Sequence, residues 1–142
     1  MGARHSGREA ALQMLFQMEA SGASAEDTIR LFWKSFEAEA EGKAYADELV
    51  TQAALRMAEL DETITKASEH WRLERMTRLD RNLLRLGTVE LLARPDVPRA
   101  VILDEAVELA KSFGTDESSA FVNGVLDRIA NDLGRKDEKK EP

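Results

Sequence analysis

The sequence predicts an all-α fold of about seven helices. Residues that favour helices, chiefly Ala, Leu, Glu and Arg, are plentiful among the 142 residues, whereas proline occurs only three times. Apolar residues recur at the three- and four-residue spacing of helices with one buried face, and no alternating segment is long enough to predict a strand. Capping residues and glycines separate these segments, which indicates a succession of helices joined by short turns.

Four helices are predicted in the N-terminal half. Ser6 begins a capping-box pattern that predicts the start of the first helix, and Ser24 is the predicted N-cap of the second. A third helix is expected over about residues 43–59. A fourth, capped by Asp61, is expected over about residues 62–70, with Trp71 on its apolar side.

Three further helices are predicted in the C-terminal half. From Leu79 onward, apolar residues occupy nearly the whole circumference of the helix, so this helix is expected in the middle of the molecule. Pro98 suits the first turn of the next helix, and Gly114 suits a left-handed stop at its end. Ser118 is the N-cap candidate of the last helix.

The last predicted helix places an aromatic ring, a bare backbone position and a guanidinium side by side. Phe121, Gly124 and Arg128 fall at the margin of its apolar stripe, where a nucleotide base has room to stack. The pattern alone favours a plainer interpretation, in which Phe121 is a core ring and Gly124 permits close helix packing. The spacing therefore permits RNA binding without requiring it.

Positive charge is segregated in this acidic chain, whose formal net charge is −7. A negative balance argues against a nucleic-acid partner, but its distribution matters more than its sum. The first eight residues carry basic side chains and no acid, and residues 71–85 carry five arginines against two acids. A charge run is more often a solvated face than a binding site. The five arginines are Arg72, Arg75, Arg78, Arg81 and Arg85.

Several function classes are disfavoured by what the sequence lacks. There is no cysteine, so thiolate metal sites and cysteine nucleophiles are excluded. The two histidines, His5 and His70, form no metal motif, no glycine-rich phosphate loop is present, and we expect neither a metal, a cofactor nor enzymatic activity. No apolar run approaches the length of a membrane helix, so a soluble cytoplasmic protein without a membrane partner is expected.

Four stretches resemble the NusB family of bacterial transcription antitermination factors. The resemblance covers most of residues 8–130, is weakest between about Gly22 and Lys66, and is most specific near the C-terminus. The stretches are REAALQMLFQME, WRLERMTRLDRNLLRLGTVELLARPDVP, VILDEAVELAKSFG and SSAFVNGVLDRIA. The resemblance implies two small packed helical bundles, which agrees with the number of helices predicted from periodicity alone.

The domain organisation follows from the helices and the resemblance together. We expect a single NusB-like RNA-binding domain over residues 1–134. Within it, the N-terminal bundle spans about residues 7–71 and the C-terminal bundle about residues 74–133. Residues 135–142, with mixed charge and no apolar periodicity, are expected to form a disordered tail.

The resemblance also implies a function and a set of site residues. NusB-like proteins bind boxA, a short single-stranded RNA in ribosomal RNA operon leaders, together with the ribosomal protein NusE. The complex then joins the elongating RNA polymerase and other Nus factors to suppress termination. The positions that match the family's RNA site are Arg4, His5, Arg8, Glu117 and Phe121, and those that match its NusE-facing positions are Phe16 and Asp80. We expect the RNA residues to form one strip at the junction of the first and last helices.

Two other functions remain open at this point. One is a purely protein-binding helical scaffold, whose arginines serve only as ion-pair partners. The other is the accessory RNA-binding domain of an RNA-modifying enzyme such as a methyltransferase. The first alternative predicts no RNA binding even when NusE is present.

Overall fold

A computed structural model describes residues 2–69 and 71–136 of the chain. Within these ranges the chain forms seven α-helices and one short 3₁₀ turn, Leu73–Arg75, and no strand, which confirms the predicted all-α class. No helix in this part of the chain is long and apolar enough to cross a membrane. The helices are α1 (Ala3–Ser21), α2 (Ala25–Ser35), α3 (Ala40–Leu55), α4 (Met57–Ala67), α5 (Arg78–Ala93), α6 (Arg99–Phe113) and α7 (Asp116–Asp132).

Helix α5 lies at the centre, as its apolar circumference predicts. It packs against α1, α3 and α4 on one side and against α6 and α7 on the other, while α1 packs chiefly on α3 and α6 chiefly on α7. Two helical bundles therefore share α5 and one continuous core. Gly87 allows the close approach of α7, because a Cβ atom there would lie 2.7 Å from Cδ1 of Leu126.

The backbones of α1 and α3 cross at close range. A Cβ atom at Gly7 would lie 2.8 Å from the carbonyl oxygen of Gly42, and one at Gly42 would lie 2.9 Å from the carbonyl oxygen of Ala3. Both contact atoms belong to helix backbones, which cannot move aside as the end of a flexible side chain can. The two glycines therefore set the spacing of α1 and α3, which in turn places the N-terminal turns of α1.

Three predicted boundaries in the N-terminal half are wrong. Helix α1 begins at Ala3 with Gly2 as its N-cap, so Ser6 lies inside the helix and caps nothing. The third predicted helix ends earlier than expected, because the chain breaks at Arg56. Asp61 lies within α4 and caps no helix, since its carboxylate binds Arg85 on α5. The Ser24 cap is confirmed, and its side chain accepts the backbone N–H of Asp27.

The turn between α6 and α7 also differs from its prediction. Gly114 has a φ of −137°, so it is not a left-handed stop. A side chain is disfavoured at Gly114 for a different reason, since a Cβ atom there would lie 2.6 Å from Cδ2 of Leu79. Thr115, not Ser118, is the N-cap of α7, and its hydroxyl accepts the N–H of Ser118.

Arg135 belongs to the folded body, so the prediction that the tail begins at this residue is wrong. Its guanidinium donates to the carbonyl oxygens of Leu91 and Val97, at 2.6 Å each. These bonds tie the end of α7 to the connection between α5 and α6. The rest of the predicted tail from residue 137 onward, and the predicted helix end at His70, lie outside the described residues.

Candidate nucleic-acid interface

One face of α7 borders an open groove, here called the α7 groove. Glu117, Phe121, Gly124 and Arg128 follow one another at spacings of four and three residues, so they form one stripe along the helix. The volume of the groove is about 390 Å³, and its opposite wall is the end of α4. The lining residues are Ala67, Ser68, Glu69, Ala120, Phe121, Gly124, Val125 and Arg128.

Gly124 opens the floor of the α7 groove. A Cβ atom at this position would meet no atom within 4 Å, so the interpretation that Gly124 permits close helix packing is wrong. Phe121 is partly buried against the core and partly open to the groove. The structure thus brings together the ring and the bare backbone position that the sequence placed at the margin of the stripe.

Trp71 adds a second aromatic ring beside the groove. Its ring centroid lies 6.2 Å from that of Phe121, at an interplanar angle of 60°, and the side chain is 52% exposed. Sequence reasoning placed Trp71 on the buried side of the fourth helix, but that helix ends at Ala67. An exposed tryptophan next to a phenylalanine offers aromatic faces on which unpaired bases stack.

Arg128 lines the α7 groove, and two further arginines follow Trp71 along the chain. Arg128 Nη1 donates to Glu69 at 3.1 Å, and this hydrogen bond, with the charge of Asp132, raises the pKa of Arg128 above its ordinary value. Arg75 and Arg78, on the segment that follows Trp71, are exposed, and their guanidinium groups have no hydrogen bond or ion pair with any other described residue. By contrast, Arg81 and Arg85 bind carboxylates of α1 and α4 and are structural.

Arg8 is buried, which corrects its predicted role as a phosphate contact. Its Nε and Nη2 donate to the carboxylate of Glu90 at 2.6–3.0 Å, and only 5% of the side chain is exposed. Burial alone would lower the pKa of Arg8, but the hydrogen bond and charge of Glu90 raise it overall. Tyr45 donates its hydroxyl to the same carboxylate. Arg8 therefore fixes α1 onto α5.

Arg4 and His5 are more accessible. The Arg4 guanidinium lies 4.9 Å from the centroid of the Tyr45 ring and is 41% exposed. Its nearest carboxylates are those of Glu41, at 3.9 Å, and Asp96, at 4.0 Å, so neither forms a hydrogen bond. His5 Nδ1 lies 2.6 Å from Oε1 of Glu105 on α6. Both residues retain exposed surface for a ligand.

The basic start of the sequence is not a basic surface in the fold. Arg4, Arg8 and Arg94 gather within 5.3 Å of the centroid of the Tyr45 ring. These three guanidinium groups face five carboxylates, so this N-terminal cluster has a net negative charge. Long-range attraction for phosphates is therefore weak here. The carboxylates are Glu41, Glu48, Glu90, Asp96 and Glu105.

The N-terminal cluster and the α7 groove are separate. Helix α7 runs beside α5. Leu79, at the start of α5, lies next to Gly114, which precedes α7, and the carbonyl oxygen of Leu91, near the end of α5, accepts a hydrogen bond from Arg135, which follows α7. Arg8 binds Glu90 near the C-terminal end of α5, whereas Phe121 lies nearer its N-terminal end. The expected single strip at the junction of the first and last helices is thus not formed by direct contacts, and RNA reaches both places only if it spans them.

Comparison with known proteins identifies the family. The NusB family model matches residues 5–131. The chain belongs to the NusB family. A protein of Sorangium cellulosum named transcription antitermination protein NusB is 63% identical over 99% of this chain and 100% of its own length.

Solved structures of NusB proteins have the same fold. T. maritima NusB is 36% identical, with a TM-score of 0.81 and 90% of each chain covered. A chain from the crystal structure of antitermination factors NusB and NusE in complex with dsRNA is 26% identical, with a TM-score of 0.83 and coverage of 93% of this chain and 98% of that one. The predicted two-bundle NusB architecture is therefore confirmed.

Phe16 and Asp80, the two residues predicted to face NusE, lie where α1 passes the start of α5. Glu19 on α1 binds Arg81 on α5. Phe16 is one turn before Glu19 and only partly buried, and Asp80 directly precedes Arg81. One carboxylate oxygen of Asp80 is buried and has no hydrogen-bond partner among the described residues. Leaving a buried carboxylate oxygen without a hydrogen bond costs free energy, so a donor at this position would be favourable.

The sequence did not point to Trp71 as a candidate site residue, and it left open whether Arg75 and Arg78 contact RNA. The signal was present, since all three lie in the arginine-rich segment, but amphipathic spacing assigned the tryptophan to the core. Neither His, Asp nor Glu side chains form a group of three that could hold a metal ion within the part of the chain that the structure describes.

Proposed function

We propose that this chain is a non-catalytic adaptor that binds single-stranded boxA RNA of ribosomal RNA operon transcripts together with NusE. In this role it promotes antitermination by joining RNA polymerase and other Nus factors in the elongation complex, in the cytoplasm. The observation that carries the proposal is the α7 groove of a NusB-family chain, where two partly exposed rings flank an open floor.

The α7 groove supplies base contacts. Unpaired bases stack on Trp71 and Phe121, and such stacking contributes about 1–3 kcal/mol per base. Arg75 and Arg78 are free to bind phosphates, and Arg128 keeps its positive charge beside the rings. Glu117, one turn before Phe121, accepts a hydrogen bond from a base amine while its charge reduces affinity for the backbone.

The N-terminal cluster supplies a second, weaker contact. Arg4 and His5 bind phosphates, and Arg8 positions them by anchoring α1 to Glu90. Because the surrounding carboxylates outnumber the cations, the isolated protein binds RNA weakly. A basic companion raises the local positive charge, and we assign that role to NusE.

The NusE contact lies at Phe16 and Asp80. Phe16 offers a partly exposed ring, and Asp80 offers the buried carboxylate oxygen that lacks a donor. A cation or N–H group of NusE that reaches this oxygen is bound and removes the cost of leaving it unpaired. This surface is distinct from the α7 groove, so NusE and RNA bind at the same time.

The test is fluorescence anisotropy with a labelled boxA-type RNA, with and without NusE. Trp71→Ala and Phe121→Ala should each weaken binding about 5- to 100-fold, the equivalent of one lost stacking contact. Phe113→Ala is the matched control, because Phe113 is also an exposed ring, 47% accessible, but lies at the end of α6 away from the groove lining.

Two results contradict the proposal. If Phe121→Ala weakens RNA binding no more than Phe113→Ala does, the α7 groove is not the base-binding site. If the wild-type protein binds NusE but no RNA, the protein-scaffold alternative is correct. Asp80→Asn should reduce NusE affinity and leave the RNA affinity of the free protein unchanged, which separates the two surfaces.

A further inference from the structure

One carboxylate at the end of α5 contacts two arginines at once. Oδ2 of Asp96 lies 2.9 Å from Nη2 of Arg94 and 4.0 Å from Nη2 of Arg4. Arg94 Nε also donates to Oδ1 at 3.0 Å, which makes the Asp96–Arg94 pair bidentate. The Asp96 side chain is 55% exposed, so this anion stands at the surface between two guanidinium groups.

The Tyr45 ring explains why two like charges lie close together. The guanidinium carbons of Arg4 and Arg94 each lie 4.9 Å from the ring centroid, where the electron-rich face attracts cations. Arg94 is held further by Glu48, whose Oε1 accepts from Nη1 at 2.7 Å. The two guanidinium groups are therefore in place before any ligand arrives.

A phosphate group fits the position of the Asp96 carboxylate. Carboxylates and phosphates both accept paired hydrogen bonds from the planar fork of an arginine. We infer that Arg4 and Arg94 form a clamp for one phosphodiester group of the RNA, and that Asp96 occupies this clamp when RNA is absent. The inference rests on the proposed function and adds Arg94 and Asp96 to the site.

Asp96 is then an internal competitor that lowers RNA affinity. Exposed ion pairs contribute little net free energy, so a phosphate displaces the carboxylate at small cost. The hydrogen bond from Arg94 lowers the pKa of Asp96 to about 2, so the carboxylate stays charged at every pH at which the protein works. The competition is therefore constant and not a pH switch.

The first experiment measures binding of the full chain to a labelled single-stranded boxA-type RNA and to DNA of the same sequence. Asp96→Asn should tighten binding of both about two- to fivefold, the range expected for one exposed ion pair. Glu62→Gln is the control, because Glu62 is also an exposed carboxylate, and among the described residues it pairs with Lys66 on α4.

A double-mutant cycle separates the clamp from a general charge effect. In an Arg4→Ala background, Asp96→Asn should no longer tighten binding, because half of the clamp is missing. The clamp is refuted if the gain persists in that background, or if Glu62→Gln tightens binding equally. Arg94→Lys keeps the charge but loses the bidentate fork, so it should weaken binding, and circular dichroism confirms that each variant is folded.

The failure of this inference is distinguishable from failure of the proposed function. If the wild type binds RNA and Asp96→Asn does not tighten it, the clamp is wrong and the adaptor proposal stands. If RNA is bound no better than DNA and NusE has no effect, yet Asp96→Asn tightens both through Arg4, the clamp stands without the adaptor function. If neither nucleic acid binds to either variant, the clamp is overturned.

Discussion

Replacing Arg8 with methionine should destabilise the fold far more than it weakens RNA binding. The change leaves the carboxylate of Glu90, only 2% exposed, with the Tyr45 hydroxyl as its remaining donor among the described residues. Breaking a buried ion pair in this way costs about 3–5 kcal/mol, against a total stability of about 5–15 kcal/mol for a domain. For a chain of this length, the expected fall in Tm is about 10–20 °C.

Two controls show whether burial is the cause. The double variant Arg8→Met with Glu90→Met removes both charges and should recover most of the lost stability, since an apolar pair of similar volume replaces a buried ion pair at little cost. Lys66→Met breaks the exposed pair with Glu62 and should change stability by about 1 kcal/mol or less.

The measurement is urea unfolding followed by circular dichroism, with RNA anisotropy under conditions where every variant is folded. Because Arg8 does not present its N–H groups to solvent, RNA affinity should fall less for Arg8→Met than for Arg4→Ala. The opposite outcome, unchanged stability together with loss of RNA binding, would mean that Arg8 contacts phosphate and that its burial against Glu90 does not describe the functional state.

Three further predictions concern glycines, pH and RNA. Gly7→Ala should destabilise the fold by about 1–3 kcal/mol, because the new Cβ atom contacts a backbone carbonyl of α3. Gly124→Ala should stabilise the fold by about 0.5–1 kcal/mol, because a Cβ atom there contacts nothing and alanine favours the helix. Thermal unfolding of the two variants tests both expectations. Burial would raise the pKa of Glu19, but hydrogen bonds from α5 lower it overall, so the stabilisation by Glu19 is present above about pH 4.5 and is lost as pH falls through the lowered pKa. The Tm difference between the wild type and Glu19→Gln should therefore shrink at pH 3. An equal difference at pH 7 and pH 3 would contradict this prediction. Glu117→Gln should tighten RNA binding. A plot of the logarithm of the binding constant against the logarithm of salt concentration should have a slope of roughly −2 to −3.5, as expected for three to five phosphate contacts. Weaker binding of the variant or a flat salt response would disprove the electrostatic argument.

The elements of this fold were predictable because they depend on local patterns. The apolar circumference that begins at Leu79 predicted the central helix, and the margin position of Phe121 and Gly124 predicted an open ring beside a bare backbone. Helix boundaries were less predictable, since the side chains of Ser6 and Asp61 suit a cap in isolation. Asp61 makes a tertiary bond instead.

By itself the sequence determined the helical class, the central helix, the family and the stripe of α7 that borders the groove, because hydrophobic period and motif order are properties of neighbours along the chain. Only the tertiary structure decided which charges remain available. The charges of Arg8 and Glu90, which are 82 positions apart in the sequence, neutralise each other in the core. Carboxylates from three helices and a turn surround the N-terminal segment, which is basic in the sequence. Charge that is segregated along a chain is redistributed by folding, because electrostatic interaction depends on distance in space and on burial.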